Sequence, residues 1–305
     1  MQKDSGDPDV ALVRKAAASG DWDTLRGLLE ARPESEDRTE LVQAAGDMDG
    51  VENWIDEVVE AEPEAALPRL VAGFRHISWG WEARTALQAS HVSREQFKVF
   101  HARLRIAEQH LYEVAEREPS WTSPWLGLQR TGRGLEVGQA TARRRFEAAV
   151  RRDRFHLGAH QQHLQQVCDK WGGSHEEMHA FARESALGAP GGTLLGQLVA
   201  MAHIEQWLSL DRGADASYMR QSAVVSSLWE AADHSFRHPD FVRSGGWLQV
   251  LNTFAMALSL AGDHGGAREC FDATEGRVTE TPWQYLNGSD PAAAYREQRS
   301  AAAQR

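Results

Sequence analysis

The sequence predicts an all-α fold, a right-handed solenoid built from helical hairpins, and three observations support this prediction. First, three stretches align without gaps around a Gly-Asp pair. Second, apolar residues return four, seven and eight positions after each Asp, which is the spacing of one helix face. Third, no segment convincingly shows the pattern of a strand. The three stretches are AASGDWDTLRGLLEA, QAAGDMDGVENWIDE and SLAGDHGGARECFDA.

The Gly-Asp pair is the predicted turn of each hairpin. Gly20, Gly46 and Gly262 can adopt the left-handed conformation that ends a helix. The Asp that follows can accept hydrogen bonds from the first N–H groups of the next helix. Two short amphipathic helices cannot bury their apolar faces alone, so we expect the hairpins to stack. The apolar residues of the second helices are Leu25, Leu28, Leu29, Val51, Trp54, Ile55, Ala267, Cys270 and Phe271.

This pattern resembles the tetratricopeptide repeat. Ala267 and Phe271 have the A-x-x-x-F spacing of that family. A second match is PWLGLQRTGRGLEVGQATARRRFEAAVRRD, which follows the consensus with about one residue of slack at Trp125, Leu128, Ala142 and Phe146. The resemblance implies a solenoid whose concave face binds a partner.

A second resemblance covers the central run from Trp79 to Trp207, which contains KWGGS. This run is similar to a group of uncharacterised bacterial helical-repeat proteins, especially actinobacterial ones. It implies a fold and no particular activity.

The remaining helices follow from apolar periodicity and capping residues. Ser93 and Gln96 form a predicted capping box at the start of a long helix that ends before Pro119. Further helices are predicted at about 64–88, 136–153, 156–169, 192–209, 215–236 and 246–261. We expect one α-solenoid domain over residues 1–305, subdivided into N-terminal hairpins (1–62), central repeats (63–189), C-terminal repeats (190–289) and a tail (290–305).

Composition limits the function classes. The net charge of -11 argues against a nucleic-acid-binding surface, because such binding depends on Lys and Arg that neutralise phosphates. Cys168 and Cys270 are far apart in sequence and form no metal or redox pair of the C-x-x-C type. No stretch approaches the length of apolar residues that a membrane span needs. These observations predict a cytoplasmic protein without nucleic-acid or membrane partners.

The segment HEEMH at 175–179 satisfies the H-E-x-x-H pattern of zinc peptidases. In that interpretation His175 and His179 bind zinc, and Glu176 is the general base on a zinc-bound water. The third ligand is Glu205 or His203, of which only one can face His179 because residues two apart on a helix point in different directions.

A second interpretation of the same segment is a helix start, and we favour it. Ser174 is placed as the N-cap, and Glu177 as the residue that reaches back to the Ser174 N–H in a capping box. Both glutamates are then explained without zinc, and the predicted cofactor is none, with zinc as the alternative.

Two further patterns are candidate sites. His156, His160 and His163 form a stripe on one helix face, which is a weaker metal-binding candidate and more often a set of surface or groove histidines. In ARRRFEAAVRRDR the helical wheel predicts that Arg143, Arg144, Arg145, Arg151 and Arg152 lie on a solvated face.

The chain contains 11 Trp, of which we expect most to pack between repeats and a few to line the concave groove. The predicted binding residues are Trp79, Trp81, Trp125, Trp171 and Arg84. The predicted function is a non-catalytic module that binds a protein or peptide, or a pathway accessory protein. No catalytic residues are predicted, and the sequence does not predict the oligomeric state. The alternative is a zinc-dependent hydrolase or metal-handling protein that uses HEEMH.

Overall fold

The computed structural model describes residues 7–34, 36–84 and 93–304. Over these residues the chain is all-α, which confirms the predicted fold class at this level. The α-helices are α1 (Asp9–Ser19), α2 (Trp22–Glu30), α3 (Glu36–Gly46), α4 (Ile55–Ala61), α5 (Ala66–Arg84), α6 (Arg94–Arg117), α7 (Ser123–Gly134), α8 (Gln139–Val150), α9 (Leu157–Val167), α10 (His175–Leu187), α11 (Gln197–Ser209), α12 (Ala214–Met219), α13 (Ser222–His234), α14 (Trp247–Ala261), α15 (His264–Ala273) and α16 (Pro291–Ala303). None of them is long and apolar enough to cross a membrane.

Two of the three predicted Gly-Asp turns are confirmed. Gly20 and Gly262 end α1 and α14 in the left-handed conformation, with φ of 70° and 78°. Asp21 accepts a hydrogen bond from the Thr24 N–H at the start of α2, and Asp263 accepts one from the Gly266 N–H at the start of α15. Each glycine therefore ends one helix of a hairpin while the next residue caps the other.

The turn prediction at Gly46 is wrong. Gly46 is the last residue of α3, and the left-handed residue that follows is Gly50, with φ of 92°. A Cβ on Gly46 would lie 2.7 Å from the Phe74 Cβ and 2.9 Å from the Arg75 backbone N. Glycine is required here because α3 and α5 approach each other closely, and not because of a turn.

The capping box of Ser93 and Gln96 is confirmed in both directions, and α6 ends at Arg117, before Pro119. The helix predicted at 215–236 is divided into α12 and α13, because Gln221 takes an extended conformation with ψ of 137°. This division lets the two short helices contact α11 separately. Part of the helix predicted at 64–88 lies outside the described residues, and α5 ends at Arg84.

The chain forms two compact units, an N-terminal unit (residues 8–166) and a C-terminal unit (residues 167–304). The core of the N-terminal unit includes Val13, Leu25, Phe74, Leu104 and Leu111. Fully buried residues of the C-terminal unit include Leu198, Phe254, Ala267, Phe271 and Trp283. The finer subdivision predicted from the sequence stays a prediction.

Candidate functional site

The HEEMH segment begins α10, with His175 as the first helical residue. Ser174 is the N-cap, and its side chain accepts a hydrogen bond from the Glu177 N–H, as predicted. The Ser174 N–H donates to the Val167 carbonyl, 3.0 Å away, in place of the Glu177 side chain. The segment therefore contains a capped helix start, although not the reciprocal capping box.

The HEEMH histidines contact neutral side chains of α11. His175 Nε2 lies 3.1 Å from Ser209 Oγ, and His179 Nε2 donates to Gln206 Oε1 at 2.7 Å. The exposed Glu176 lies in the first turn of α10. If His175, His179 and Glu205 bound one metal ion, their ligand atoms would have to lie close together around it. These atoms do not all lie within 4.8 Å of one another.

Of the two candidate third ligands, His203 faces His179, with ring centroids 4.7 Å apart. Glu205 instead forms an ion pair with Lys170, with Nζ and Oε2 2.7 Å apart. Zinc binding at HEEMH therefore stays a prediction that this arrangement does not favour.

His203 is the centre of a hydrogen-bonded cluster. Its Nδ1 lies 2.6 Å from the Tyr218 hydroxyl and its Nε2 lies 2.6 Å from Ser227 Oγ. Burial, together with the nearby His179, lowers the pKa of His203 to about 3, so its ring is neutral near pH 7. Ser227 Oγ also lies 3.0 Å from the Val224 carbonyl, so both ring nitrogens of His203 and the Ser227 hydroxyl are hydrogen-bonded within the protein.

The histidine stripe is buried, and the expectation of surface or groove histidines is wrong. The exposed fractions of His156, His160 and His163 are 1%, 6% and 8%. Phe146 packs edge-on against the His160 ring and stacks on the His163 ring, with centroids 4.3 Å apart. Burial lowers the pKa of His156 and of His163 to about 4. Because its rings are uncharged near pH 7 and pack against Phe146, the stripe is part of the protein interior.

Two glutamates of the N-terminal unit cap helices that lie far away in sequence. Glu34 Oε1 accepts hydrogen bonds from the Thr122 N–H and the Ser123 N–H, each 2.9 Å away, at the start of α7. Glu36 accepts from the Leu157 and Gly158 N–H groups at the start of α9. Free N–H groups at a helix N-terminus need hydrogen-bond acceptors, and these two carboxyl groups supply them from within the chain. The sequence analysis missed both, because nothing near α7 or α9 indicates a distant cap.

The prediction that Arg145 is solvated is wrong. Its side chain is buried and forms an ion pair with Glu108, with Nη1 and Oε1 2.7 Å apart. It also donates to the Tyr112 hydroxyl at 2.9 Å. Arg143 and Arg144 are exposed, as predicted. The helical wheel describes α8 alone, whereas in the fold α8 packs against α7. This contact buries Arg145 on the side that the wheel assigns to solvent.

Arginines cover most of the predicted tryptophan anchors. The Arg103 guanidinium lies 3.2 Å from the Trp79 ring centroid, and Arg152 lies 4.9 Å from that of Trp125. Trp81 packs edge-on against Phe100, with Arg84 5.5 Å from its ring centroid. These residues lie in the N-terminal unit, whereas the half-buried Trp171 lies in the C-terminal unit. The rings of Trp79, Trp81 and Trp125 therefore have packing roles within the N-terminal unit.

An apolar cleft lies within the C-terminal unit. It is a small cleft, open to solvent on one side, between α11, α14 and the segment before α16. Tyr285 is one of the few large apolar side chains that are exposed among the described residues, and it lines this cleft. The hydroxyl group itself is surrounded by protein atoms, and this desolvation, together with the nearby Glu205, raises its pKa. The lining residues are Met201, Ile204, Glu205, Gln249, Thr253, Thr281, Pro282 and Tyr285.

Within the described residues, one group of three side chains could hold a metal ion. Asp56 of α4, His76 of α5 and His110 of α6 place one ligand atom each within 4.8 Å of the other two. All three belong to the N-terminal unit. The sequence analysis missed this group because its members are 20 and 34 residues apart, and no local spacing connects them.

Comparison with models of known protein families and with curated proteins finds no match for this chain. The function has to be inferred from its own residues.

Proposed function

We propose that this protein is a non-catalytic interaction module that holds a peptide segment of a partner protein in the apolar cleft of the C-terminal unit. The observation that carries the proposal is the cleft itself, where exposed Tyr285 stands beside Met201 and Ile204. An exposed aromatic ring next to a flexible Met is typical of surfaces that receive an apolar anchor side chain.

The size of the cleft favours an anchor side chain over a cofactor. Pockets that hold cofactors measure roughly 300–1,000 Å³, and the enclosed part of this cleft is far smaller than that. The cleft therefore suits the end of one apolar side chain, which would pack against Met201, Ile204 and Tyr285 at the surface. The partly exposed Gln249 and Thr281 suit the peptide backbone on either side of that anchor.

The net charge of the chain favours a cationic partner. The whole chain carries a net charge of -11, whereas Glu205, which lines the cleft, is already paired with Lys170. Complementary charge increases the association rate and selects among partners. We therefore expect the bound segment to carry Lys or Arg next to its apolar anchor.

The proposal includes the right-handed solenoid and a cytoplasmic location. The solenoid is supported by the helical hairpins α1–α2, α7–α8 and α14–α15, and by the resemblance of their turns to tetratricopeptide repeats. The cytoplasmic location is supported by Cys168 and Cys270, which are buried and not joined in a disulfide.

A peptide-display selection on the full chain tests the proposal, followed by calorimetry with the selected peptide. We expect peptides with one large apolar residue beside Lys or Arg. Met201→Lys should weaken binding by about 10-fold or more, because it blocks the cleft and repels the cation.

Leu208→Lys is the matched control, since it adds the same charge to the exposed end of the same helix, outside the cleft lining. Its affinity should stay within about twofold of the parent. Equal loss in both variants, or a selection that yields no peptide, would contradict the proposal.

A further inference from the structure

The ligand atoms of Asp56, His76 and His110 converge on one point at the junction of three helices. They all lie within 4.8 Å of one another. Metal–ligand bonds of about 2.0–2.1 Å in a tetrahedral site place ligand atoms about 3.3 Å apart. The group must therefore close by about 1.5 Å at most, through rotation of the exposed Asp56 side chain and small shifts of the two imidazole rings.

The protein leaves these groups without other partners. His76 is 94% buried, and its Nδ1 has no hydrogen-bond partner among the described residues. The carboxylate of Asp56 and the ring nitrogens of His110 also make no hydrogen bond or ion pair within the described parts of the chain. A buried polar atom without a partner is costly, so it calls for a ligand or a water in this position.

Close packing of α5 against α6 fixes the two imidazoles. Gly73 and Gly80 lie about one turn on either side of His76, and a Cβ at these positions would lie 3.0 Å from Leu111 and 3.4 Å from Leu104. The rings of His76 and His110 are nearly parallel, with an angle of 10° between their planes. The His76 ring is also stacked against Trp79. Packing therefore restricts both imidazoles before any ligand arrives.

An alternative explanation is that Asp56 is only the counterion of the nearby Arg103. However, the Arg103 guanidinium lies over the Trp79 ring, 3.2 Å from its centroid, and the structure has no ion pair between Arg103 and Asp56 within 4.0 Å. The ring holds the guanidinium, and the carboxylate stays available to a cation in the group.

We propose that Asp56, His76 and His110 bind one divalent transition-metal ion, of which zinc is the best match. Two imidazoles and one carboxylate are a donor set that suits zinc and its neighbours and does not suit Ca²⁺ or Mg²⁺. Three protein ligands leave a fourth position for water or for an incoming group. The site lies in the N-terminal unit and is independent of the peptide cleft.

Competition titration of zinc against a chromophoric chelator tests the site, with the full chain freed of any affinity tag. We expect one equivalent of zinc per chain. Asp56→Asn should weaken the affinity by about 10-fold or more, and His110→Gln by about 100-fold or more. Cobalt added to the parent protein should give the intense visible absorption of a four-coordinate site, and both variants should lack it.

Two control variants give the result its specificity. Glu57→Gln removes the same charge from the adjacent exposed position of α4, and His175→Gln alters the HEEMH segment. Both should bind zinc as the parent does. The test does not use a variant of His76, because a change at this buried position could disturb the fold.

Three results would overturn the site. They are no zinc binding by the parent protein, binding that survives both Asp56→Asn and His110→Gln, and equal weakening in Glu57→Gln. Loss of zinc in His175→Gln alone would move the metal to HEEMH and likewise refute this proposal.

Discussion

The two units of the molecule bury polar groups of different kinds. The N-terminal unit buries Arg38, Arg75 and Arg145, each with a carboxylate partner. In the C-terminal unit the buried polar side chains are mainly neutral, as in the hydrogen bond from Trp283 Nε1 to Asn252 Oδ1. A buried charge depends on its partner and on pH far more than a buried amide does. We therefore expect the N-terminal unit to be the more sensitive of the two to acid and to loss of one partner.

Acid should give the largest difference between the stabilities of the two units. Burial lowers the pKa of His76, His156 and His163 to about 4 in the N-terminal unit, and that of His203 to about 3 in the C-terminal unit. Between pH 6.5 and these values the unfolded chain binds more protons than the folded chain, so the free energy of unfolding falls as the pH falls. Each histidine contributes about 1–2 kcal/mol of this loss at pH 5.

Hydrogen exchange at pH 7 and pH 5, corrected for intrinsic rates, measures this loss in each unit. The N-terminal unit should lose more protection, because it contains three of these four histidines. Glu36 works in the opposite direction, since burial raises its pKa to about 8 and its protonation favours the folded state as the pH falls. Glu36→Gln should therefore steepen the acid loss. An equal loss of protection in both units would contradict the comparison.

Removing one buried charge should be the next largest effect. Arg75 is almost fully buried and pairs with Glu52 and Glu82 at 2.8 and 2.9 Å. Arg75→Met should lower the free energy of unfolding by about 3 kcal/mol, because Glu52 loses its buried partner. Arg183→Met removes an exposed partner of Glu230, and because solvent screens that pair the change should cost much less. Chemical denaturation compares the two, and similar costs would refute the assigned role of Arg75.

The neutral network of the C-terminal unit should respond less. Asn252→Leu leaves the Trp283 N–H without its partner at 2.6 Å, with an expected cost of about 1–3 kcal/mol. Adding Trp283→Phe should recover part of that cost in a double-mutant cycle. Additive costs would mean that the hydrogen bond itself contributes nothing. Unlike the loss in the N-terminal unit, this cost should not change between pH 5 and pH 7.

The smallest predicted effect is at the cap of α10. Ser174→Ala removes the side-chain oxygen that accepts from the Glu177 N–H at the helix start. The expected cost is about 1 kcal/mol, measured by thermal denaturation. A cost as large as that of Arg75→Met would contradict this order of effects.

Local features of this fold could be predicted from the sequence. The turns at Gly20 and Gly262 need only two adjacent residues, and the capping box at Ser93 needs four. Gly46 carries the same Gly-Asp signature, yet its role depends on how closely α5 approaches α3. Sequence spacing contains no information on that distance, so this prediction failed.

The candidate sites show the same limit more clearly. The HEEMH pattern is local, and it coincides with the first turn of a helix that Ser174 caps. The group of Asp56, His76 and His110 comes from three helices and has no local pattern. The apolar cleft likewise combines residues that are more than 80 positions apart, from Met201 to Tyr285. Neither could be predicted before α4, α5, α6, α11 and α14 were placed in space.

The most direct test of the proposed function is the methyl NMR spectrum of methionine-labelled protein during titration with the selected peptide. The chain has only six methionines, and Met201 lines the cleft whereas Met178, Met219 and Met256 are buried elsewhere. We predict that the Met201 methyl resonance shifts most and saturates at one equivalent of peptide. A Met201 resonance that stays unchanged while the peptide binds would contradict the proposal.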